Sequence, residues 1–166
     1  MQLRSNNAVA IAAAVVLATG GSGLAHAQQI PASILGQWRI QRILPTRNPK
    51  CWDPKHTKGL VGSTMTYRQH AMTWQGGVEP ITAALSRNLS RRQFRTEYSV
   101  ELAELGIASA NITEIDLQHE DADITGSTTE VPGDTILLAG DGRIVVSACG
   151  VFYSATRLPG RPAANR

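Results

Sequence analysis

The stretch Thr-Ile-Leu-Leu-Ala-Gly-Asp-Gly-Arg-Ile-Val-Val-Ser-Ala-Cys-Gly-Val-Phe-Tyr-Ser-Ala-Thr-Arg, residues 135–157, decides the fold class. Three runs rich in β-branched, aliphatic and aromatic residues, 135–139, 143–148 and 151–157, are separated by Gly140-Asp141-Gly142 and Cys149-Gly150. Asp-Gly between such runs is a strong hairpin signal, because turns with positive φ match the right-handed twist of the flanking strands. A three-strand antiparallel meander is therefore predicted to end the fold.

Upstream, the same period-two reading recurs. In Gly36 to Ile43, Trp38, Ile40 and the aliphatic stem of Arg42 share one face, with Gln37, Arg39 and Gln41 opposite, as in a half-buried strand. Leu60 to Tyr67 and Ala71 to Trp74 form a predicted hairpin through Arg68-Gln69-His70, stopped by Gly76-Gly77. Thr113, Ile115, Leu117 and His119 alternate with Glu114, Asp116 and Gln118. Between them, 97–105 carries Val100, Leu102, Ala103 and Leu105 ahead of Gly106, which predicts a short helix with a glycine stop. Six to eight short strands, one helix and frequent turns define a mainly β chain, a small antiparallel barrel or sandwich.

The N-terminus reads differently. Arg4 precedes the apolar run Ala8 to Ala18, and Ala25-His26-Ala27 supplies a small-residue cleavage site, the order of a secretory signal peptide. A membrane span would need roughly 20 unbroken apolar residues, whereas this run decays at Thr19 to Gly23. The expected organisation is a signal peptide over 1–27, one domain over 28–158 and a flexible tail over 159–166. Cleavage leaves 139 of the 166 residues, enough for one continuous core. No later segment is predicted to span a membrane, and the expected location is secreted or periplasmic. Losing Arg4 lowers the net charge from +3 to +2, a small surplus that does not imply nucleic acid.

Cys51 and Cys149 are the only cysteines. An even count in an exported chain is read as a bridge, because that compartment is oxidising. A closed loop of nearly 100 residues would stabilise by about 4–5 kcal/mol in the chain-entropy model. Two buried free thiols are the alternative. Neither cysteine has the C-x-x-C spacing of a redox or zinc site.

Few residues suggest catalysis. There is no G-x-S-x-G elbow, P-loop or dinucleotide fingerprint, and His56, His70 and His119 are scattered. No cofactor and no enzymatic activity are expected. Glu114 and Asp116, two apart on one strand face, place carboxylates about 6–7 Å apart, as on many exposed sheet faces. His119, Glu120, Asp121 and Asp123 are weak metal-ligand candidates. Asp121 to Gly126 imitates half of an EF-hand loop, but its twelfth position is Pro132 rather than the required Glu. No metal site is therefore expected. Arg87, Arg91, Arg92 and Arg95 suit an anionic lipid or glycan, or else a solvated loop paired with Glu97, Glu101 and Glu104.

Gly36-Gln37-Trp38 on the first strand, with a lone arginine, Arg157, ending the last, resembles the signature of the lipocalin or wider calycin family. Leu60 to Tyr67 and Gly142 to Ser147 are similar in pattern to secreted, lipocalin-like bacterial proteins, and the likeness extends over most of residues 34–157. The resemblance implies a β-barrel whose base is closed by Arg157 packing across Trp38, a cation–π contact worth about 0.5–2 kcal/mol. It also implies a binding or inhibitory protein rather than a catalyst. Two functions follow. One is a carrier of a small apolar ligand in a barrel lined by Trp38, Ile40, Met65, Tyr67, Met72 and Trp74. The other is an inhibitor of an extracellular or periplasmic hydrolase, a protease or lysozyme, acting through the arm Gln28 to Ser33 or the loop Pro45 to Lys58.

Overall fold

A computed structural model describes residues 29–47, 54–119, 132–140 and 142–159. One antiparallel sheet dominates, built from β1 (Gly36–Ile43), β2 (Thr64–Arg68), β3 (Ala71–Trp74), β4 (Gly77–Ser90), β5 (Asn111–His119), β6 (Thr135–Leu138), β7 (Arg143–Ala148) and β8 (Val151–Arg157). Each strand pairs with the next, and β1 pairs with β8 as well as β2, so the sheet curls into a closed barrel. Closure leaves no free sheet edge among the described strands. The predicted meander is present as β6 to β8, turning at Cys149 (φ 51°) and Gly150 (φ 74°).

Three expectations are corrected. First, two helices occur among the described residues, where one was predicted: α1 (Pro54–Gly59) and α2 (Arg91–Tyr98). Second, α2 lies earlier than 97–105. Ser90 starts it through a capping box with Gln93, and Ser99 ends it in the left-handed region, its N–H donating to Arg95 O. Residues 101–107 instead form tight turns, with Leu105 N donating to Leu102 O at 3.1 Å and Gly106 N to Ala103 O at 3.0 Å. Their apolar spacing is real, because Val100, Leu102, Leu105 and Ile107 are all buried. Third, Arg42 is exposed rather than on the inner face. A register shift between Ile40 and Arg42 in the β1–β8 pairing interrupts the alternation there.

The core has two layers. Inside the barrel, Trp38, Ile40, Met65, Tyr67, Met72, Ile115, Ile136, Val146 and Tyr153 pack together, with Ile30 and Ile34 of the preceding arm joined to them. Outside it, the opposite faces of β5 to β8 contribute Ile112, Leu137, Val145 and Phe152, which α2 and the 99–107 turns cover with Phe94, Val100, Leu102 and Leu105. Phe94, Tyr98 and Phe152 form an aromatic cluster with centroids 4.7–6.1 Å apart. Strands buried on both faces read as continuous apolar runs, which explains Ile144-Val145-Val146.

The seam between β1 and β8 sets the requirement for Gly36. Its φ is 115°, and a Cβ there would lie 2.9 Å from the Arg157 guanidinium. The positive φ strains any side chain there, and the Arg157 guanidinium would have to shift to admit one. Gly36→Ala is expected to destabilise the fold by about 1–3 kcal/mol, read as a lower urea midpoint at unchanged m-value. An unchanged midpoint would contradict this packing.

Candidate functional site

The antiparallel order puts the connections after β1, β3, β5 and β7 at one end of the barrel. Those after β2, β4 and β6 share the other end with the N-terminal arm and Arg157. At this second end Trp38 and Arg157 are direct partners across the seam. The guanidinium carbon lies 4.3 Å from the indole centroid. Arg157 also donates to the carbonyls of Leu35 and Ser33, and Trp38 Nε1 donates to Ile34 O at 2.7 Å. These bonds fold the arm under the barrel, and Ile34 is fully buried there. The arm is anchored at Ile30 and Ile34, while Ala32 and Ser33 between them stay exposed.

Of the six interior candidates, Trp38, Ile40, Met65, Tyr67 and Met72 expose at most 1% of their surface. Trp74 is half-buried and packs against the same cluster. A cavity able to hold even one water leaves accessible surface on its walls, and these five walls have essentially none. The Tyr67 hydroxyl donates to Gly133 O at 3.0 Å inside this core. A Cβ on Gly133 would sit 2.3 Å from that hydroxyl. Burial, and then the negative charge of Asp134, push the Tyr67 phenol well above its ordinary pKa. The six residues come together as a packed core.

The described residues hold no group of three or more side chains that could ligate a metal. His119 is held between Pro80 O at Nδ1 (2.9 Å) and Asp134 Oδ1 at Nε2 (2.8 Å). Glu120, Asp121 and Asp123 lie outside the described residues, as does Cys51. Glu114 and Asp116 are not equivalent partners. Asp116 accepts from Thr135 Oγ1 at 2.9 Å, whereas the Glu114 side chain is fully buried on the outer face of β5.

Glu114 anchors a network that sequence reasoning missed. Arg87 Nε donates to Glu114 Oε1 at 2.6 Å, and Tyr98 Oη donates to Glu114 Oε2 at 2.7 Å. The same arginine pairs with Glu97 at 2.5 Å, clamping α2 onto β4 and β5. Burial raises the Glu114 pKa, and Asp116 adds to the rise, while the Tyr98 and Arg87 hydrogen bonds oppose it. The Tyr98 phenol is raised by burial first and then by the carboxylate it serves. The only sequence signal was an acidic residue between Ile112 and Ile115, on the face assigned to solvent. Nothing local shows that α2 covers it.

The remaining arginines follow the solvated reading more closely than the anionic-surface one. Arg95 pairs with Glu101 at 3.2 Å, and Arg91 donates to the carbonyls of Ala108 and Ser109. Glu104 pairs with Arg47 at 2.9 Å rather than with this cluster. Arg91, Arg92 and Arg95 stand on α2, not in a loop.

Compared with known proteins, the chain matches no family model, no curated protein and no solved structure. Its class is therefore defined by its own geometry: a mainly β protein with a curled, closed antiparallel sheet. No helix among the described residues is long and apolar enough to cross a membrane.

The Glu114 network has a pH signature. With its pKa raised on folding, the folded chain retains a proton that the unfolded chain loses near the ordinary value of 4.5, so stability falls as pH rises through that window. Removing Arg87 leaves the buried carboxylate without its cation. Arg87→Ala should cost about 3 kcal/mol at pH 7, the low end for a broken buried pair because Arg87 is partly in water. It should cost clearly less near pH 4, and adding Glu114→Gln should remove most of the difference. An equal cost at both pH values in urea denaturation would contradict the assignment.

Proposed function

We propose that this chain is an exported, lipocalin-like binding protein that acts through the loop end of its barrel, as an inhibitor of an extracellular or periplasmic hydrolase. The observation that carries this reading is the packed interior. Carriage of an apolar ligand needs a concave, mostly apolar void, and the side chains that would line it are the core. Binding is then left to the exterior. Loops on a rigid scaffold are the usual place for it.

The loop end supports the choice of surface. It carries the connection containing Pro45 to Lys58. It also carries two of the exposed large apolar side chains, Val61 (42% exposed) and Val78 (62%). The Trp38–Arg157 contact, the family signature and the signal-like residues 1–27 support the lipocalin-like and exported parts. Titrated against proteases and lysozyme from its own host's exported fraction, the mature protein should inhibit one of them stoichiometrically. Substituting Val61 and Val78 by Ser should weaken that inhibition without changing the melting temperature. Failure to inhibit any hydrolase at micromolar concentration would refute the reading.

A Cys51–Cys149 bridge belongs to the same proposal. Cys149 is buried in the β7–β8 turn, and no described cysteine is a free thiol. Cys51 lies between the described ends of the β1–β2 connection, outside the described residues. The start of that connection is tied to β8: Leu44 N donates to Phe152 O at 2.8 Å and Phe152 N to Thr46 Oγ1 at 3.2 Å. The denatured, unreduced protein should titrate no thiols. Two thiols would sink the bridge.

A further inference from the structure

We propose that the arm end of the barrel, opposite the loop end, is an oxyanion-binding site centred on Arg143 and Arg157. A cleft of about 370 Å³ there is lined by both arginines together with Ser33, Trp38, Leu138 and Gly140. A second cleft, of about 420 Å³, adjoins it through Leu138, Gly140 and Arg143 and adds Ser109, Asn111 and Thr113. No acidic side chain lines either cleft among the described residues.

Charge and hydrogen-bond valence point to the ligand. Neither guanidinium forms an ion pair with a described carboxylate. Each is fixed by two backbone carbonyls, Arg143 by Leu105 and Gly106, Arg157 by Leu35 and Ser33. A guanidinium has five N–H donors, so each fork keeps roughly three for a ligand. The carbonyls hold the forks without cancelling their charge. Two like charges facing one cleft repel, and an anion between them reverses the sign of that interaction. Backbone supports also pre-organise the donors, and planar guanidinium forks match phosphate and carboxylate oxygens bidentately. Gly106, whose φ of 71° favours glycine, presents the carbonyl that accepts from Arg143 Nη2 at 2.6 Å. The site is therefore suited to a phosphate, sulfate or carboxylate group of a small molecule, with hydroxyl and amide groups in the adjoining cleft. It is independent of the hydrolase reading.

The test is an NMR titration of the full mature protein with inorganic phosphate at constant ionic strength, following the arginine Nε–Hε resonances. Saturable shifts confined to Arg143 and Arg157 and to the amides of Leu138, Gly140 and Gly142 are expected. Arg143→Gln should weaken binding by about tenfold, the loss of one charge-assisted bidentate contact. Arg143→Lys, which keeps the charge but not the fork, should fall between, and it serves as the second variant should the glutamine protein fail to fold. Arg39→Gln, on an exposed side chain of β1, should bind as the parent does. Shifts that do not saturate, shifts spread equally over all arginines, or parental affinity in both Arg143 variants would overturn the site.

Discussion

The barrel depends on its seam. Eight strands paired in sequence order make a curled sheet, and only the pairing of β1 with β8 makes it a barrel. At that seam, Arg157 on the last strand stacks on Trp38 of the first and donates to carbonyls of the arm that precedes it. One side chain therefore ties together the two chain ends of the domain and the plug beneath it. Gly36 is part of the same device, because its positive φ and missing side chain leave room for the guanidinium. The Gly-x-Trp signature and the terminal arginine are thus one steric and electrostatic unit rather than separate motifs.

The second constraint lies outside the barrel. β6 to β8 bury residues on both faces, which a small antiparallel barrel cannot do unless something covers its outer wall. Here α2 and the turns after it provide that cover, and they must cross a carboxylate, Glu114, to do so. Arg87 from β4 and Tyr98 from α2 satisfy its two oxygens. A buried charge with a partner on each neighbouring element fixes where the helix sits, while adding little net stability of its own. The aromatic cluster of Phe94, Tyr98 and Phe152 supplies the apolar part of the same contact.

What the sequence revealed and what it hid follow from range. The β6–β8 meander was legible because its alternation and its Gly-containing turns are local. The partnership of Gly36 and Trp38 with Arg157 was legible only through resemblance, since more than 100 positions separate them from it. Strand β4 went unread over most of its 14 residues. Pro80 breaks the expected donor pattern, and a register shift between Ile81 and Ala83 disrupts period two. The helix was misplaced because Leu102 and Leu105 are spaced for burial but fold as turns, whereas the true start is marked by the Ser90–Gln93 capping box. Of the candidate site, the inward-facing apolar set was legible, and the choice between a cavity and a filled core was left open. Periodicity reports which residues face inward and is silent on whether they meet.

A filled barrel, its arm end closed by Arg157 and the N-terminal arm, has no room to enclose a small molecule. Native mass spectrometry of the gently purified protein tests that filling most directly. The bare mass of the polypeptide, with no small molecule enclosed, is the expected result. A small apolar adduct that stays bound in the native protein and leaves on denaturation would contradict it.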